Sequence, residues 1–359
     1  MGVEPRSLAW LEAQRGPDRS GESWAKVIAN WPSLEHVIAD GGQGLERGVK
    51  LANAARLQAQ EPEAPRPALI TMGLDVFHTE REVERVLQRL WKGVERQIET
   101  AVKADGRVSQ VKRHGQDSRG VAGCAGRAWA QAERRFDEAV QAQEAVAQIH
   151  EALGWFEASG HLYSRERAQA QLDEASGQLQ GECWSKAKRM LKDRRTLSHL
   201  DRLHAHLNLA VPELMLRDAL VQVWYWSRLL KRSQGDDRVR LQEMVVLEQV
   251  LCGRLCSDWR EDYVKVDELL REAVRASSAV EGVNSVVRMH QGRHRHVSQE
   301  MLDLKRLYWN CRVFREGQRK GHSPYELLGL KLPPLDWWQL LQMDPQELEQ
   351  KLLTQQVRL

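Results

Sequence analysis

The chain has 359 residues, and its 42% hydrophobic and 29% charged content allows a packed core and excludes disorder as the default. Lys and Arg number 53 against 50 Asp and Glu, a net charge of +3, so the overall charge does not by itself indicate a nucleic-acid partner. No apolar run approaches the ~20 residues that cross a bilayer, and the first residues lack the layout of a signal peptide. We therefore expect a soluble cytoplasmic protein with no membrane partner.

The first part of the chain alternates short apolar runs with helical patterns, as α/β proteins do. The predicted strands cover 7–13, 36–40 and 68–72, and the predicted helices cover 22–30 and 45–57. This order predicts an α/β segment that ends at Leu74-Asp75.

From Thr79 to about residue 278 the pattern is almost entirely helical. The first predicted helix carries one apolar face, made by Val83, Val86, Leu87, Leu90, Val94 and Ile98. Further helices are predicted at about 121–156, 197–210, 212–230 and 239–256. We therefore expect a large all-α region.

The last part begins with predicted helices at about 278–291 and 298–317. Ser323, Pro324 and Glu326 then give the signature of a helix start, with Ser as the cap, Pro first and Glu third. The tail with Trp337-Trp338 is expected to be a small packing element.

The five cysteines argue against a secreted disulfide framework, because their number is odd and their spacing is scattered. They are Cys124, Cys183, Cys252, Cys256 and Cys311. Cys252 and Cys256 stand one helical turn apart with no second pair nearby, so we interpret them as buried thiols rather than zinc ligands.

Basic residues concentrate between Glu281 and His322. The stretch has nine cations against the four acids Glu281, Glu300, Asp303 and Glu316, a local charge of +5; the cations are Arg288, Arg293, Arg295, Lys305, Arg306, Arg312, Arg315, Arg319 and Lys320. Such a stretch is typical either of a surface that faces phosphates or of a solvated helical face.

Two acidic positions follow predicted strands. Asp40 closes the strand at 36–40 and precedes two glycines, where α/β sheets place their sites, although Asp-Gly is also a common turn dipeptide. Asp75 and His78 lie at a strand-to-helix junction. The alternative for this pair is purely structural: Asp75 ends the strand and Thr79 caps the helix, with Glu82 three residues later.

A third acidic position opens a helix. Ser278 and Glu281 fit a capping box, which is a structural role. On a helix, Glu281 also shares a face with Asn284, Ser285 and Arg288. An acid, an amide, a hydroxyl and a base on one face suit a helix that faces a metal and a phosphodiester.

In these segments and in their order, the chain resembles the DDE-type DNA transposases of a bacterial insertion-sequence group, which have an RNase H-like fold. The segments are 3–10, 39–42, 75–78, 277–284 and 323–328. The resemblance implies an α/β RNase H-like core interrupted by a large all-α insertion, predominantly helical overall. The implied domains are 1–78 and 276–330 for the core, 79–275 for the insertion and 331–359 for a tail.

The resemblance also implies residue roles. Asp40 would be the second and Glu281 the third acid of the catalytic triad, both as ligands of Mg²⁺ or Mn²⁺. Asp75 and His78 would match a supporting Asp-x-x-His signature. The implied activity is cleavage and strand transfer at the ends of a mobile element, by metal-dependent phosphoryl transfer.

The partner implied is double-stranded DNA, both transposon ends and target, bound by a nucleoid-associated homodimer. DNA contacts are expected from Asn284, Arg288, Arg293, Arg295, Lys305 and Arg306. Trp224 and Trp226 are candidates for stacking on a flipped base, as an aromatic does in related insertions, although most tryptophans fill helical cores.

One feature departs from the family. Its first acid lies on the first, central strand, whereas this chain starts at what looks like the approach to the second strand. We therefore expect a protein without the first strand, and inactive by itself, since the remaining carboxylates would hold the ions loosely. Two alternatives stay open: a non-catalytic DNA-binding relic or regulator, and a helical protein that dimerises or binds partners.

Overall fold

The computed structural model describes residues 2–16, 18–59, 67–274, 280, 282–285, 288, 297–317, 319–330, 336–344 and 347. The chain divides into two compact units. Unit 1 comprises residues 1–72 and 276–359, and unit 2 comprises residues 73–275. Unit 2 is therefore inserted into the sequence of unit 1.

Unit 1 begins with a small antiparallel pair. Strand β1 covers Gly2–Val3 and pairs with β2, Trp10–Glu12. Helix α11, Gln299–Cys311, packs on β2 from 300 residues further along the chain. The buried side chain of Asn310 accepts from the Trp10 N–H at 2.8 Å and donates to the Trp10 carbonyl at 3.0 Å. The amide thereby stands in for a neighbouring strand, and it joins the two parts of unit 1.

The remaining part of unit 1 before residue 72 has the order helix, strand, helix, strand. Helix α1 covers Gly21–Ala29, β3 covers His36–Ala39, α2 covers Gln43–Gln58 and β4 covers Thr71–Leu74. Strands β3 and β4 pair with each other, with α2 as their connection.

The packing of this part explains its order. Ile28, Val49 and Ile70 form its buried cluster with Ala52. The Arg56 guanidinium donates to four carbonyls on either side of the connection, those of Trp31, Pro32, Leu34 and Ala68. One side chain thus satisfies backbone oxygens that have no ladder partner.

Unit 2 is built from helices. Their bounds are α3 Val76–Arg113, α4 Arg119–Ala152, α5 Arg165–Gln178, α6 Ser185–Leu191, α7 Ser198–Ala210, α8 Leu214–Leu230, α9 Asp236–Leu255 and α10 Trp259–Glu272. Short 3-10 turns at Glu182–Trp184 and Arg194–Leu197 precede α6 and α7. Two buried clusters organise these helices, one around α3 to α6 and one around α7 to α10.

The two longest helices pack along each other through small side chains. Helix α3 has 38 residues and α4 has 34, so each is roughly 50–60 Å long at 1.5 Å per residue. Helix α4 buries a row of alanines at Ala125, Ala132, Ala139, Ala142, Ala145 and Ala152. Alanines at near-heptad spacing let two helix axes approach closely over many turns.

The last short helices belong to unit 1. Helix α12 covers Pro324–Leu327 and α13 covers Trp337–Gln342. Ser323 and Glu326 form the predicted capping box, with Pro324 in the first turn. The sequence signature of this helix start is confirmed.

The predominantly helical character predicted from the sequence is confirmed. Within the described ranges, however, the strands form only two two-stranded sheets. An RNase H-like core needs a larger central sheet, so this finer part of the fold prediction stays a prediction.

Candidate functional site

The junction between β4 and α3 brings together the predicted pair Asp75 and His78. Asp75 is fully buried and is the N-cap of α3. One carboxylate oxygen accepts from the Phe77 N–H at 2.9 Å, and the other lies 2.6 Å from Nδ1 of His78. Because Nδ1 faces the carboxylate, Nε2 is the ring nitrogen directed away from Asp75. The junction thus holds a histidine in a fixed orientation, with its side chain 30% exposed.

The capping alternative for this junction is wrong in one detail. Asp75 caps the helix, whereas Thr79 lies inside its first turn and is buried. The Thr79 hydroxyl donates back to the Asp75 carbonyl at 3.2 Å. The helix therefore starts four residues earlier than the pattern indicates, because Asp75 rather than Thr79 is the N-cap.

Asp40 directly follows β3 and is exposed. Its Oδ1 accepts from the Gly42 N–H at 3.3 Å, and Gly41 has φ +79°, so the segment makes a turn that needs glycine. The carboxylate lies just before the N-terminus of α2, where a negative charge is favourable. Both the turn role and the predicted role as a metal ligand are compatible with this position.

Glu281, Arg293 and Arg295 lie outside the described residues. Of their neighbours, Val283 is fully buried beside Trp10. The other predicted members of the polar face are accessible in different degrees: Asn284 is half-buried, while Ser285 and Arg288 are exposed. The Ser285 hydroxyl donates to the Gly282 carbonyl at 2.7 Å, so it is bonded within its own segment.

The described cations of α11 and its following loop hold the N-terminal segment. Arg306 donates to the Leu11 carbonyl at 3.2 Å and pairs with Asp303 at 3.3 Å. Arg319 donates to the carbonyls of Arg6 and Pro5 at 2.5 and 3.0 Å. Lys305 is half-buried, and burial lowers its pKa. Part of the basic stretch is therefore committed to structure, and its role in DNA binding stays a prediction.

Trp224 lies in the second core cluster of unit 2 and is 6% exposed. Its ring stacks on Phe156 at 5.5 Å, the Arg228 guanidinium lies 4.6 Å from its centroid, and Nε1 donates to Asp267 at 2.9 Å. These contacts favour the alternative in which this tryptophan fills the core.

Trp226 is the more accessible of the two predicted stacking residues. It is half-buried and meets Tyr225 edge-on at 4.8 Å. Gly160 packs against both rings at φ +84°, where a Cβ would come within 2.9 Å of Tyr225. Base stacking by Trp226 stays a prediction.

Sequence reasoning missed a second basic stretch, in unit 2. Residues 186–195 contain six cations and one acid, in α6 and the 3-10 turn that follows. The signal in the sequence is a local charge of +5, whereas the apolar periodicity of these helices indicates only their packing. Lys188, Lys192 and Arg194 from this stretch line a cavity of about 510 Å³.

One buried acid anchors this stretch to α3. Glu82 is 8% exposed and accepts from Lys186 at 2.9 Å, and it also pairs with Arg85. Burial alone would raise the pKa of Glu82, but the hydrogen bonds from Lys186 and Arg85 outweigh it, and the pKa lies below its ordinary value.

A metal centre is not assembled by the described part of the chain alone, where no group of three or more His, Cys, Asp or Glu side chains could hold an ion. Both oxygens of Asp75 are engaged by Phe77 and His78, and Asp40 offers one exposed carboxylate. Of the helices that the structure describes, none is long and apolar enough to cross a membrane.

Comparison of the chain with models of protein families, with curated proteins and with solved structures gave no match.

Proposed function

We propose that this protein is a transposase-like protein that acts on double-stranded DNA, with an RNase H-like core formed by residues 1–78 and 276–330. The observation that supports it most is the Asp75–His78 pair, in which a buried carboxylate at the end of β4 orients an accessible imidazole. The pair matches the Asp-x-x-His signature of the transposases that the chain resembles. Its geometry is that of a histidine oriented by a carboxylate.

The proposed roles follow the resemblance. Asp40 and Glu281 are the metal ligands, with Mg²⁺ or Mn²⁺ as the cofactor, since hard cations prefer carboxylate oxygens. Asp75 holds His78 in one orientation. The described residues alone do not complete a metal centre, and the proposed roles are binding of DNA and of metal.

The first experiment measures the affinity of the full chain for a fluorescent duplex as the salt concentration rises. Contacts to phosphates release counterions, so the logarithm of the binding constant is expected to fall linearly with the logarithm of salt. A chain with no affinity for duplex DNA at 50 mM salt would overturn the proposal.

The metal part is tested separately with Mn²⁺, by electron paramagnetic resonance of free Mn²⁺ in a titration. Asp40→Asn is expected to weaken Mn²⁺ binding at least tenfold, because it removes one of the two proposed carboxylates. Asp137→Asn, an exposed position on α4, is the matched control and is expected to leave it unchanged. Equal Mn²⁺ affinity of wild type and Asp40→Asn would remove Asp40 from the proposal.

A nicking assay on supercoiled plasmid in Mg²⁺ distinguishes the transposase from a non-catalytic regulator. Salt-dependent binding without nicking supports the regulator, and nicking that Asp40→Asn abolishes supports the enzyme.

A second candidate function, self-association through the helical unit, is favoured by α9. This helix leaves five large apolar side chains exposed, those of Val239, Val246, Leu247, Val250 and Leu251. Exposed apolar side chains close together on a surface are typical of a protein contact. Leu247→Glu is expected to convert a dimer to a monomer in sedimentation velocity, whereas Gln249→Glu on the same helix is not. A wild-type monomer at micromolar concentration would exclude this candidate.

A further inference from the structure

A basic concave surface lies between α5 and α6 in unit 2. Its cavity of about 510 Å³ is open on one side. Lys188 and Lys192 from α6 and its C-cap, with Arg194 from the following turn, line one wall. Gln169, Ser176 and Gly177 of α5 line the other.

The three cations of this wall are available. Lys186 and Arg195 in the same stretch pair with Glu82 and Asp193, at 2.9 and 2.7 Å. Across the described ranges, no carboxylate comes within ion-pair distance of Lys188, Lys192 or Arg194. Lys192 and Arg194 are exposed and Lys188 is half-buried. These three side chains can therefore meet an anionic ligand.

The opposite wall adds little opposing charge. Asp173 is the one acid among the lining residues, and its Oδ1 accepts from Gln169 at 3.1 Å. The lining therefore carries three cations against one acid, a local charge of +2. Lys188 and Lys192 stand one helical turn apart, so their ammonium groups reach the same side of α6.

We propose that this cavity binds the sugar-phosphate backbone of double-stranded DNA. The inference rests on the proposed function and adds a contact surface in the helical unit, at residues outside the predicted DNA-binding set. The lining contains Lys, Arg, Ser, Gln, Asp and Gly and no aromatic side chain. Cations and hydroxyls without stacking groups fix a backbone and do not read bases. Binding at this cavity is therefore independent of sequence and sensitive to salt.

Gly177 allows a sharp test, because it is an exposed position near the end of α5 and a Cβ there would meet no atom within 4 Å. Gly177→Glu places a negative charge in the cavity without removing a contact. Gly177→Ala is its matched control for the change of backbone. In the full chain, we expect Gly177→Glu to weaken duplex binding at least fivefold at 50 mM salt and Gly177→Ala to leave it unchanged.

Removal of the cations tests the cavity independently, through the salt dependence of duplex binding. For Lys192→Gln with Arg194→Gln, the slope of the logarithm of affinity against the logarithm of salt is expected to fall by about two, one for each lost phosphate contact. The loss should be equal for duplexes of different sequence. Lys103→Gln, an exposed lysine on α3, is expected to change the slope less.

The outcomes separate this inference from the function on which it rests. If the wild type binds duplex DNA and the cavity variants bind with the same affinity and slope, the cavity inference fails and the proposed function stands. If the wild type binds no duplex DNA, both fail. If the variants lose affinity only for inorganic phosphate, the cavity takes a small anion, and the DNA inference is contradicted.

Discussion

Two stretches of this chain have the same local charge of +5 and use it differently. In residues 281–322, Arg306 and Arg319 donate to backbone carbonyls of the N-terminal segment. In residues 186–195, Lys192 and Arg194 point into an open cavity and have no described acid partner. A count of charges therefore predicts a basic surface only where the fold does not use the cations in hydrogen bonds or ion pairs of its own.

The largest loss of stability is expected where Asn310 of α11 takes the place of a strand partner for β2. Asn310→Ala removes both hydrogen bonds to Trp10 and leaves a buried N–H and a buried carbonyl unsatisfied. The expected loss is about 3 kcal/mol of unfolding free energy, since each orphaned buried group costs roughly 1–3 kcal/mol. Urea unfolding followed by tryptophan fluorescence measures it. Met301→Ala, exposed on the same helix, is the control, and an equal loss in the two variants would show that α11 does not hold the N-terminal pair.

The next largest loss of stability is expected at Glu82, which pairs with Lys186 of α6 and with Arg85 of its own helix α3. Glu82→Gln is expected to lower the unfolding free energy at pH 7 by about 1–2 kcal/mol, because a buried charge-assisted hydrogen bond is lost. The pKa of Glu82 is lower in the folded protein, so its stabilisation is present above the ordinary value of 4.5 and is lost as the pH falls through the folded value.

Wild type and Glu82→Gln should therefore converge in stability as the pH falls below 4.5 and through the lower folded pKa of Glu82. The measurement is a urea series from pH 3.5 to 7. A difference that grows on acidification would contradict the direction of the pKa change.

A smaller loss is expected at Arg306. Arg306→Gln should cost about 1 kcal/mol, because a half-buried guanidinium loses its bond to the Leu11 carbonyl. If Arg306 acts only in packing, the Arg306→Gln variant keeps the wild-type slope of the logarithm of duplex affinity against the logarithm of salt. A slope lower by about one would place Arg306 at the DNA surface, as the sequence predicts.

The smallest expected effect is a difference in the rate at which two cysteine thiols are labelled. Burial raises the pKa of the Cys311 thiol on α11 to about 11, whereas Cys183 is exposed in the turn before α6. A thiol reagent at pH 8 reacts with the thiolate, so Cys183 should be labelled much faster than Cys311. Mass spectrometry of a labelling time course compares the two, with exposed Cys124 as the control.

Local sequence signals predicted the elements whose cause is local. The helix at Pro324–Leu327 follows from its Ser, Pro and Glu, and the helical unit follows from its apolar periodicity. The junction at Asp75 was harder, because both Asp75 and Thr79 are good caps, and only the packing that buries Asp75 decides between them.

Contacts between residues far apart in the chain could not be predicted from the sequence. The Asn310–Trp10 pair joins residues 300 positions apart, and Arg319 reaches carbonyls more than 300 positions away. Nothing in the pattern around an asparagine or arginine shows which backbone group it satisfies. The same limit applies to Asp40 and Glu281, whose roles depend on how separate segments come together.

The contrast between the two basic stretches is tested most directly by one pair of salt titrations on duplex DNA. One double variant carries Lys192→Gln and Arg194→Gln, and the other carries Arg306→Gln and Arg319→Gln. We predict that the first lowers the salt slope by about two and keeps the stability, whereas the second keeps the slope and loses stability. The reverse pattern, or equal slopes in both variants, would contradict the assignment of the open cavity to DNA.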